Sequence, residues 1–291
     1  MNKLTFVSAI AGIVVLAIIA ACRDDSNSKK LSFDTNREIT VITREAGSGT
    51  RDAFTELVGI LVKQNGKKKD NTTVEALTID GTQGVISTVA GNEYAIGYIS
   101  LGSMNNSVKA LKIDGVSPDK LNVKRGTYPI ARPFNVATKS QISEIAQDFL
   151  DFIMSADGQS IVDASGYVSV VEGKVYESKN LKGKIVIAGS SSVSPVMEKL
   201  KEGYLQKNPG VEIEIQTNDS SSGMLAAKEG TCDIGMASRD LKSSEKDVLN
   251  SLTIARDGIA VIVNSKNPQD NLNKETLRQI YTGLIRNWNV K

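Results

Sequence analysis

An α/β chain of two lobes, each a mainly parallel sheet flanked by helices, is the fold this sequence predicts, and three observations predict it. From residue 38 onward, short β-branched runs alternate with amphipathic helical patterns, as expected of strands covered by helices. The body of about 250 residues is more than one compact core organises well, so it divides naturally into two lobes. A strand, a Ser/Gly-rich loop and a helix start also follow one another in that order at three places, near residues 44, 189 and 218.

The elements are read in chain order. Residues 4–21 form an 18-residue run without a charge, after Lys3 and ending in Ile19-Ala20-Ala21-Cys22. Residues 1–21 are therefore expected to be an export signal, with a short membrane-spanning anchor as the alternative. Small residues directly before a cysteine resemble the lipobox of bacterial lipoprotein signal peptides. That resemblance implies cleavage before Cys22, a lipid on its thiol, and a body held at the outer face of the cytoplasmic membrane. Residues 22–38 are polar and read as a flexible tether. Strands are expected at 39–43, 94–99, 134–138, 184–188, 211–215 and 259–263. A helix over 51–63 would carry Phe54, Leu57, Val58 and Leu61 on one face, and one over 195–207 would carry Met197, Leu200 and Tyr204. A third helix is expected near 143–155. Cys232 has no partner for an internal disulfide once Cys22 is lipidated, and reads as a small core residue in a buried strand. The segment 172–183 is polar and is expected to be flexible, and no internal repeat is found.

Composition closes several function classes. Lys plus Arg number 35 against 33 for Asp plus Glu, a net charge of +2 with no dense basic stretch, so nucleic acid is not an expected partner. Histidine is absent, which removes Ser-His-Asp and Cys-His catalysis and imidazole metal sites. No phosphate loop of the Gly-x-x-x-x-Gly-Lys kind, nucleophile elbow or calcium-loop spacing occurs. Ser117-Pro118-Asp119-Lys120 and Ser243-Ser244-Glu245-Lys246 match Ser-x-x-Lys, but without the motifs that accompany it in acyl-transfer enzymes both read as solvated surface. Neither catalysis, a metal nor a cofactor is expected.

What remains is the three loops: Arg44-Glu45-Ala46-Gly47-Ser48-Gly49-Thr50, Gly189-Ser190-Ser191-Ser192-Val193-Ser194-Pro195 and Asn218-Asp219-Ser220-Ser221-Ser222-Gly223. The first N–H groups of a helix have no internal acceptor, and the helix dipole places partial positive charge there, so each loop is suited to an anion. Capping and turn formation are the ordinary reading of any one of them alone. Arg44 adds a planar fork able to give two parallel charge-assisted bonds to a tetrahedral oxyanion. One guanidinium among many neutral donors suits a small, enclosed anion.

These residues, with Asp233-Ile234-Gly235-Met236-Ala237-Ser238-Arg239 and Asp257-Gly258-Ile259-Ala260-Val261-Ile262-Val263-Asn264, resemble the phosphate-binding protein of the high-affinity phosphate ABC transporter. The likeness covers nearly all of 39–288. It implies a periplasmic-binding-protein-like (type II) fold that closes on inorganic phosphate in the cleft between its lobes and delivers it to the permease subunits of an ABC transporter. A monomer is expected.

Relative to that family the segments are exchanged, since the stretch like 184–288 there comes first and the stretch like 39–171 follows, as in a circular permutation. Joining Lys291 to Glu38 would restore the usual order, and 172–183 would bridge the old ends, spanning at most ~40 Å. The lobes would then be 39–131 plus 257–291, with the arginine loop, and 132–256, with the serine loops.

Residue by residue, the family's anion donors match Arg44, Ser48, Gly49, Thr50, Ser191, Ser192 and Ser220, and Ser238 and Arg239 are expected to line the cleft. Many members have an aspartate that accepts the phosphate proton in the motif that here reads Ala237-Ser238-Arg239-Asp240, which leaves that role unassigned in this sequence. Asp257 and Glu45 are the candidates for that role here. A binding protein for sulfate or another oxyanion, and a phosphate-binding sensor or adhesin not coupled to transport, are the alternatives.

Overall fold

The computed structural model describes residues 33–64 and 67–290, so the expected signal, Cys22 and most of the tether lie outside the described residues. The first part of the chain runs β1 (Thr40–Arg44), α1 (Gly49–Val58), β2 (Leu61–Gln64), β3 (Lys67–Asp70), β4 (Leu77–Ile79), α2 (Gly81–Gly91), β5 (Ala95–Ser100), β6 (Val108–Ala110) and β7 (Lys112–Ile113). It continues with α3 (Lys120–Arg125), β8 (Ala131–Thr138), α4 (Glu144–Ile153) and α5 (Ala156–Ala164). After the 172–183 segment come β9 (Gly183–Ser190), α6 (Ser194–Lys207), β10 (Val211–Asn218), α7 (Ser220–Glu229), β11 (Ile234–Ala237) and α8 (Ser243–Lys246). The last elements are β12 (Asn250–Asn264), β13 (Asn271–Leu272) and α9 (Lys274–Tyr281).

Nine strands join in the order β10-β9-β11-β8-β12-β5-β1-β4, with β6 on β12. The outer pairs are parallel, β9 with β10 and β11, and β1 with β4 and β5. The centre is antiparallel, β8 with β11 and β12, and β12 with β5. The sheet is therefore mixed rather than mainly parallel. Strands joined by a helical crossover run side by side, whereas β8 and β12 enter each half of the sheet from the other half and meet its strands head to tail. β12 is long enough to serve both: its residues 250–258 pair with β8 and 259–263 with β5.

Separate apolar clusters sit under the two ends of this sheet. One gathers Phe134, Phe149, Phe152, Ile185, Ile187 and Tyr204, and a neighbour gathers Met224, Ala227, Cys232 and Leu241. The other end buries Ile42, Val85, Val89, Ile99, Ala260 and Ile262. Every residue of the first two clusters lies within 132–256, and every residue of the third outside it.

Three sequence expectations need correction. The helix expected over 51–63 stops at Val58, because Gly59 takes a left-handed cap at φ 83° and returns its N–H to Thr55 and Glu56 carbonyls. Leu61–Gln64 instead pairs antiparallel with Lys67–Asp70. The 172–183 segment has no regular structure but is pinned: Lys174 accepts from the Ala156 N–H at 2.8 Å, and the buried Tyr176 donates its hydroxyl to Asp148 at 2.5 Å. Cys232 precedes β11 rather than lying in a strand; it is buried, and burial pushes its thiol up to about 11, away from thiolate chemistry.

Candidate functional site

Each of the three loops is delivered by a strand of the sheet to the first turn of a helix. β1 ends at Arg44 and α1 starts at Gly49, β9 ends at Ser190 and α6 starts at Ser194, and β10 ends at Asn218 and α7 starts at Ser220. The structure brings the three together. Thr50 Oγ1 lies 2.8 Å from Ser192 Oγ and 3.5 Å from Ser238 Oγ. Ser238 Oγ in turn accepts from Ser190 Oγ at 2.9 Å and stands 3.4 Å from Ser220 Oγ. All of these hydroxyls are buried. The starts of α1, α6 and α7, and that of α2 through Thr82 and Ser192, therefore converge on one set of hydroxyls, each bringing the positive end of its dipole.

Arg44 is 1% exposed. Its Nε and Nη2 give a bidentate pair to Glu45, at 2.7 and 2.6 Å, and Nη2 also reaches Ser191 Oγ at 3.1 Å. Nη1 is buried and has no partner. A buried guanidinium N–H without an acceptor is costly, so this nitrogen is a donor in want of an anion. Beneath it, Tyr98 shares a hydrogen bond with Thr43 Oγ1 at 2.8 Å and accepts the Arg44 N–H at 3.2 Å. Burial pushes the Tyr98 phenol up to about 12, so it stays neutral, and Phe54 stacks on its ring at 3.9 Å. The strand end that carries Arg44 thus rests on a rigid aromatic platform.

The other expected residues take different places. Gly49 admits the neighbouring loop: a Cβ there would fall 2.3 Å from Ser220 Oγ and 2.9 Å from Ser238 Oγ. Ser48 caps α1, its side chain accepting from the Arg51 N–H. Glu45 is spent on Arg44 and on the Gly81 N–H at 3.3 Å. Asp257 lies in β12 and pairs with Arg132, directly opposite in β8, at 3.1 Å with both side chains 1% exposed. Burial raises the Asp257 carboxyl and lowers the Arg132 guanidinium, and their pairing pulls each back toward its charged form. Arg239, expected among the anion's ligands, turns its guanidinium to Glu245 at 2.8 and 2.9 Å and to Asp52 at 3.1 Å. Burial works against its charge, but Glu245 and Asp52 outweigh that and hold it above its ordinary value.

Sequence reasoning missed three neighbours. Thr82 Oγ1 lies 3.2 Å from Ser192 Oγ and 3.3 Å from Ser191 Oγ. Ile79-Asp80-Gly81-Thr82 is a fourth strand-to-helix joint, and the same signal would have found it. Ser190 belongs to a loop already singled out. Arg132 donates from Nη1 to the Ser238 carbonyl at 3.0 Å, tying β8 to the cluster, and carries no local signal at all. Among the described residues no group of His, Cys, Asp and Glu side chains is arranged to hold a metal ion.

Strand-end loops that bring buried hydroxyls, helix starts and one arginine to a common point define the anion-binding kind of site on an α/β binding-protein fold. The model of the PBP superfamily domain matches residues 26–157 and 174–290. A phosphate-binding protein PstS 2 of Streptococcus agalactiae serotype V is 44% identical over 290 residues, 99% of this chain and 97% of that protein. The phosphate-binding protein PstS 2 of Streptococcus pneumoniae serotype 4 is 46% identical over 271 residues, 93% of this chain and 92% of its own length. The crystal structure of a phosphate ABC transporter phosphate-binding protein from Streptococcus pneumoniae TIGR4 shares 47% identity, covers 87% of this chain and 98% of its own, and superimposes with a TM-score of 0.70. The chain belongs to the PBP superfamily and, within it, to the family of these phosphate-binding proteins. Because the S. agalactiae match runs end to end, the segment order of this chain is not peculiar to it.

Proposed function

We propose that this protein captures inorganic phosphate between the arginine loop and the two serine loops and delivers it to the permease of an ABC transporter. The observation that carries the reading is the buried, unpartnered Nη1 of Arg44, whose neighbouring Nη2 reaches Ser191 of the loop that also supplies Ser192 to the hydroxyl cluster. A tetrahedral oxyanion at that point would accept from the arginine, the hydroxyls and the helix-start N–H groups together. The names of the streptococcal relatives and of the solved neighbour support phosphate as the ion and an ABC transporter as the partner. Arg44, Gly49, Thr50, Ser191, Ser192, Ser220 and Ser238 form the site in this reading, with Thr82 and Ser190 added. Ser48 shapes the loop, Arg239 stands beside the site, and Arg132 with Asp257 supports it from behind.

Residues 39–131 with 257–291 act as one lobe and 132–256 as the other, and the separate apolar clusters support that division. Closure follows from ligand binding, because only the closed arrangement lets both sets of donors reach one ion. The protein acts outside the cytoplasm as a monomer, held to the membrane by a lipid on Cys22. The near contact of Glu38 and Asn287, which form an antiparallel bridge, supports the permuted segment order, since it brings together the two ends that the family joins.

One observation favours a second reading, a broader oxyanion specificity. Glu45, Asp52 and Asp257 each face a cation of the protein and none hydrogen-bonds to a hydroxyl of the cluster, which favours a site without the carboxylate acceptor for a phosphate proton that would discriminate against sulfate. Equilibrium dialysis of labelled phosphate against unlabelled sulfate at pH 7 tests both. Phosphate bound and not displaced by sulfate supports the first reading. Displacement at comparable concentrations supports the second. Phosphate uptake lost on deletion of the protein in cells distinguishes transport from sensing.

A further inference from the structure

Beside the hydroxyl cluster runs a chain of ion pairs that shares no atom with it. Arg239 follows Ser238 directly, and Asp52 stands in the first turn of α1, two residues after Thr50. Arg239 gives Nη1 to Glu245 and the Asp240 carbonyl, and Nη2 to Glu245 and Ser221 Oγ. Its Nε lies 3.1 Å from Asp52 Oδ2, a charge contact rather than an aligned hydrogen bond, and Lys242 Nζ approaches the same oxygen at 3.5 Å. The four N–H groups on Nη1 and Nη2 of Arg239 are thereby bonded within the protein, its Nε faces Asp52 without an aligned bond, and two carboxylates balance two cations.

We infer that Asp52 and Arg239 form a closure latch: Asp52 is a positioning residue that holds the α1 donors against the Ser238 segment without touching the anion. The inference rests on the anion-binding reading above. Glu245 fixes Arg239 within its own segment, so the contacts of Asp52 with Arg239 and Lys242 are the links of the chain that join α1 to that segment and the ones that opening must break. Asp52 keeps 39% of its side chain exposed and lines a cavity of 740 Å3, so on opening it rehydrates easily. A latch of this kind raises the closed fraction of the ligand-free protein, and the apparent affinity rises in proportion to that fraction.

The test compares the full chain with Asp52→Asn and Asp52→Glu. Stopped-flow release and calorimetry with inorganic phosphate are expected to show Asp52→Asn weaker by roughly 3- to 10-fold, the size of a partly exposed charge contact, with the loss in the release rate rather than the association rate. Asp52→Glu, which keeps the charge, recovers part of it. Small-angle scattering without phosphate is expected to give a larger radius of gyration for Asp52→Asn than for the parent. Tighter phosphate binding by Asp52→Asn would mean that freeing Arg239 supplies a ligand, and would overturn the latch. Unchanged release with unchanged scattering would overturn it too. A parent chain that binds no phosphate would instead defeat the functional reading, while scattering would still decide the latch.

Discussion

Arg44 is held by Glu45 and Ser191 on two of its nitrogens and by the Tyr98 platform at its backbone, which leaves the third nitrogen, Nη1, fixed in place with no acceptor. Replacing it by lysine keeps a charge but loses the planar fork, so Arg44→Lys is expected to bind phosphate measurably more weakly than the parent by calorimetry while unfolding at a similar urea midpoint. Gly49 is the second sensitive point. Its missing Cβ is the space that Ser220 and Ser238 occupy, so Gly49→Ala should force the loops apart and cost about 1–3 kcal/mol of phosphate binding. Phosphate affinity equal to the parent's would show that the loops separate in the bound form. At this scale the sequence was informative where residues are local to a loop: small hydroxyl side chains and glycines ahead of a helix are visible without a structure. Arg132 was not, because its role comes from Asp257, 125 residues away and opposite it across two strands.

The strands show why elements were easier to see than their ends. The runs at 95–100 and 259–263 are almost wholly buried, so their apolar character is continuous. The first half of β12 carries Asn250, Ser251, Thr253, Arg256 and Asp257, a polar composition that hides a strand whose backbone nevertheless pairs with β8 on both sides of a bulge at Ile254. The helix over-extended past Gly59 because Leu61 continues its apolar spacing, whereas the left-handed cap at Gly59 had already ended it. The 172–183 segment looked flexible because its buried side-chain anchor, Tyr176, is a single aromatic in a polar stretch and its backbone bond to Ala156 leaves no trace in the sequence. Tyr176→Phe removes its bond to Asp148 and should cost about 1–3 kcal/mol in urea unfolding. The same residue gives a pH dependence. Burial, then Asp148, pushes the Tyr176 phenol up from 10.0 to about 12, so the folded state holds its proton more tightly than the unfolded chain. The associated stability is complete below pH 10 and is lost as pH rises toward about 12. Tyr176→Phe should therefore show a shallower alkaline decline than the parent; an equal decline would place the titration elsewhere, for instance at Tyr98.

At the scale of the molecule, the class of fold follows from alternation and length, but the mixed sheet does not, because antiparallel pairing in its centre arises from the paths of β8 and β12 between the two ends. In the proposed two-lobed reading those two strands are where opening is absorbed, and the Arg132–Asp257 pair sits on them. The bridge between Glu38 and Asn287 and the hydrogen bond from the Ile39 N–H to the Arg286 carbonyl, at 2.7 Å, bring the ends of the body together. A chain joined there and opened within 172–183 is expected to fold and to bind phosphate within a fewfold of the parent. Urea unfolding and calorimetry on the rearranged chain check this, and failure to fold would show that the pinned segment is needed in one piece.

The central claim is that one anion joins the arginine loop to the serine loops through Arg44. Calorimetric titration of phosphate at pH 7 into residues 23–291, side by side with Arg44→Ala, tests it most directly. Saturable binding of one phosphate, weakened by roughly 2–5 kcal/mol in Arg44→Ala, is the predicted result for a buried charge contact. Equal affinity in the two proteins would contradict it.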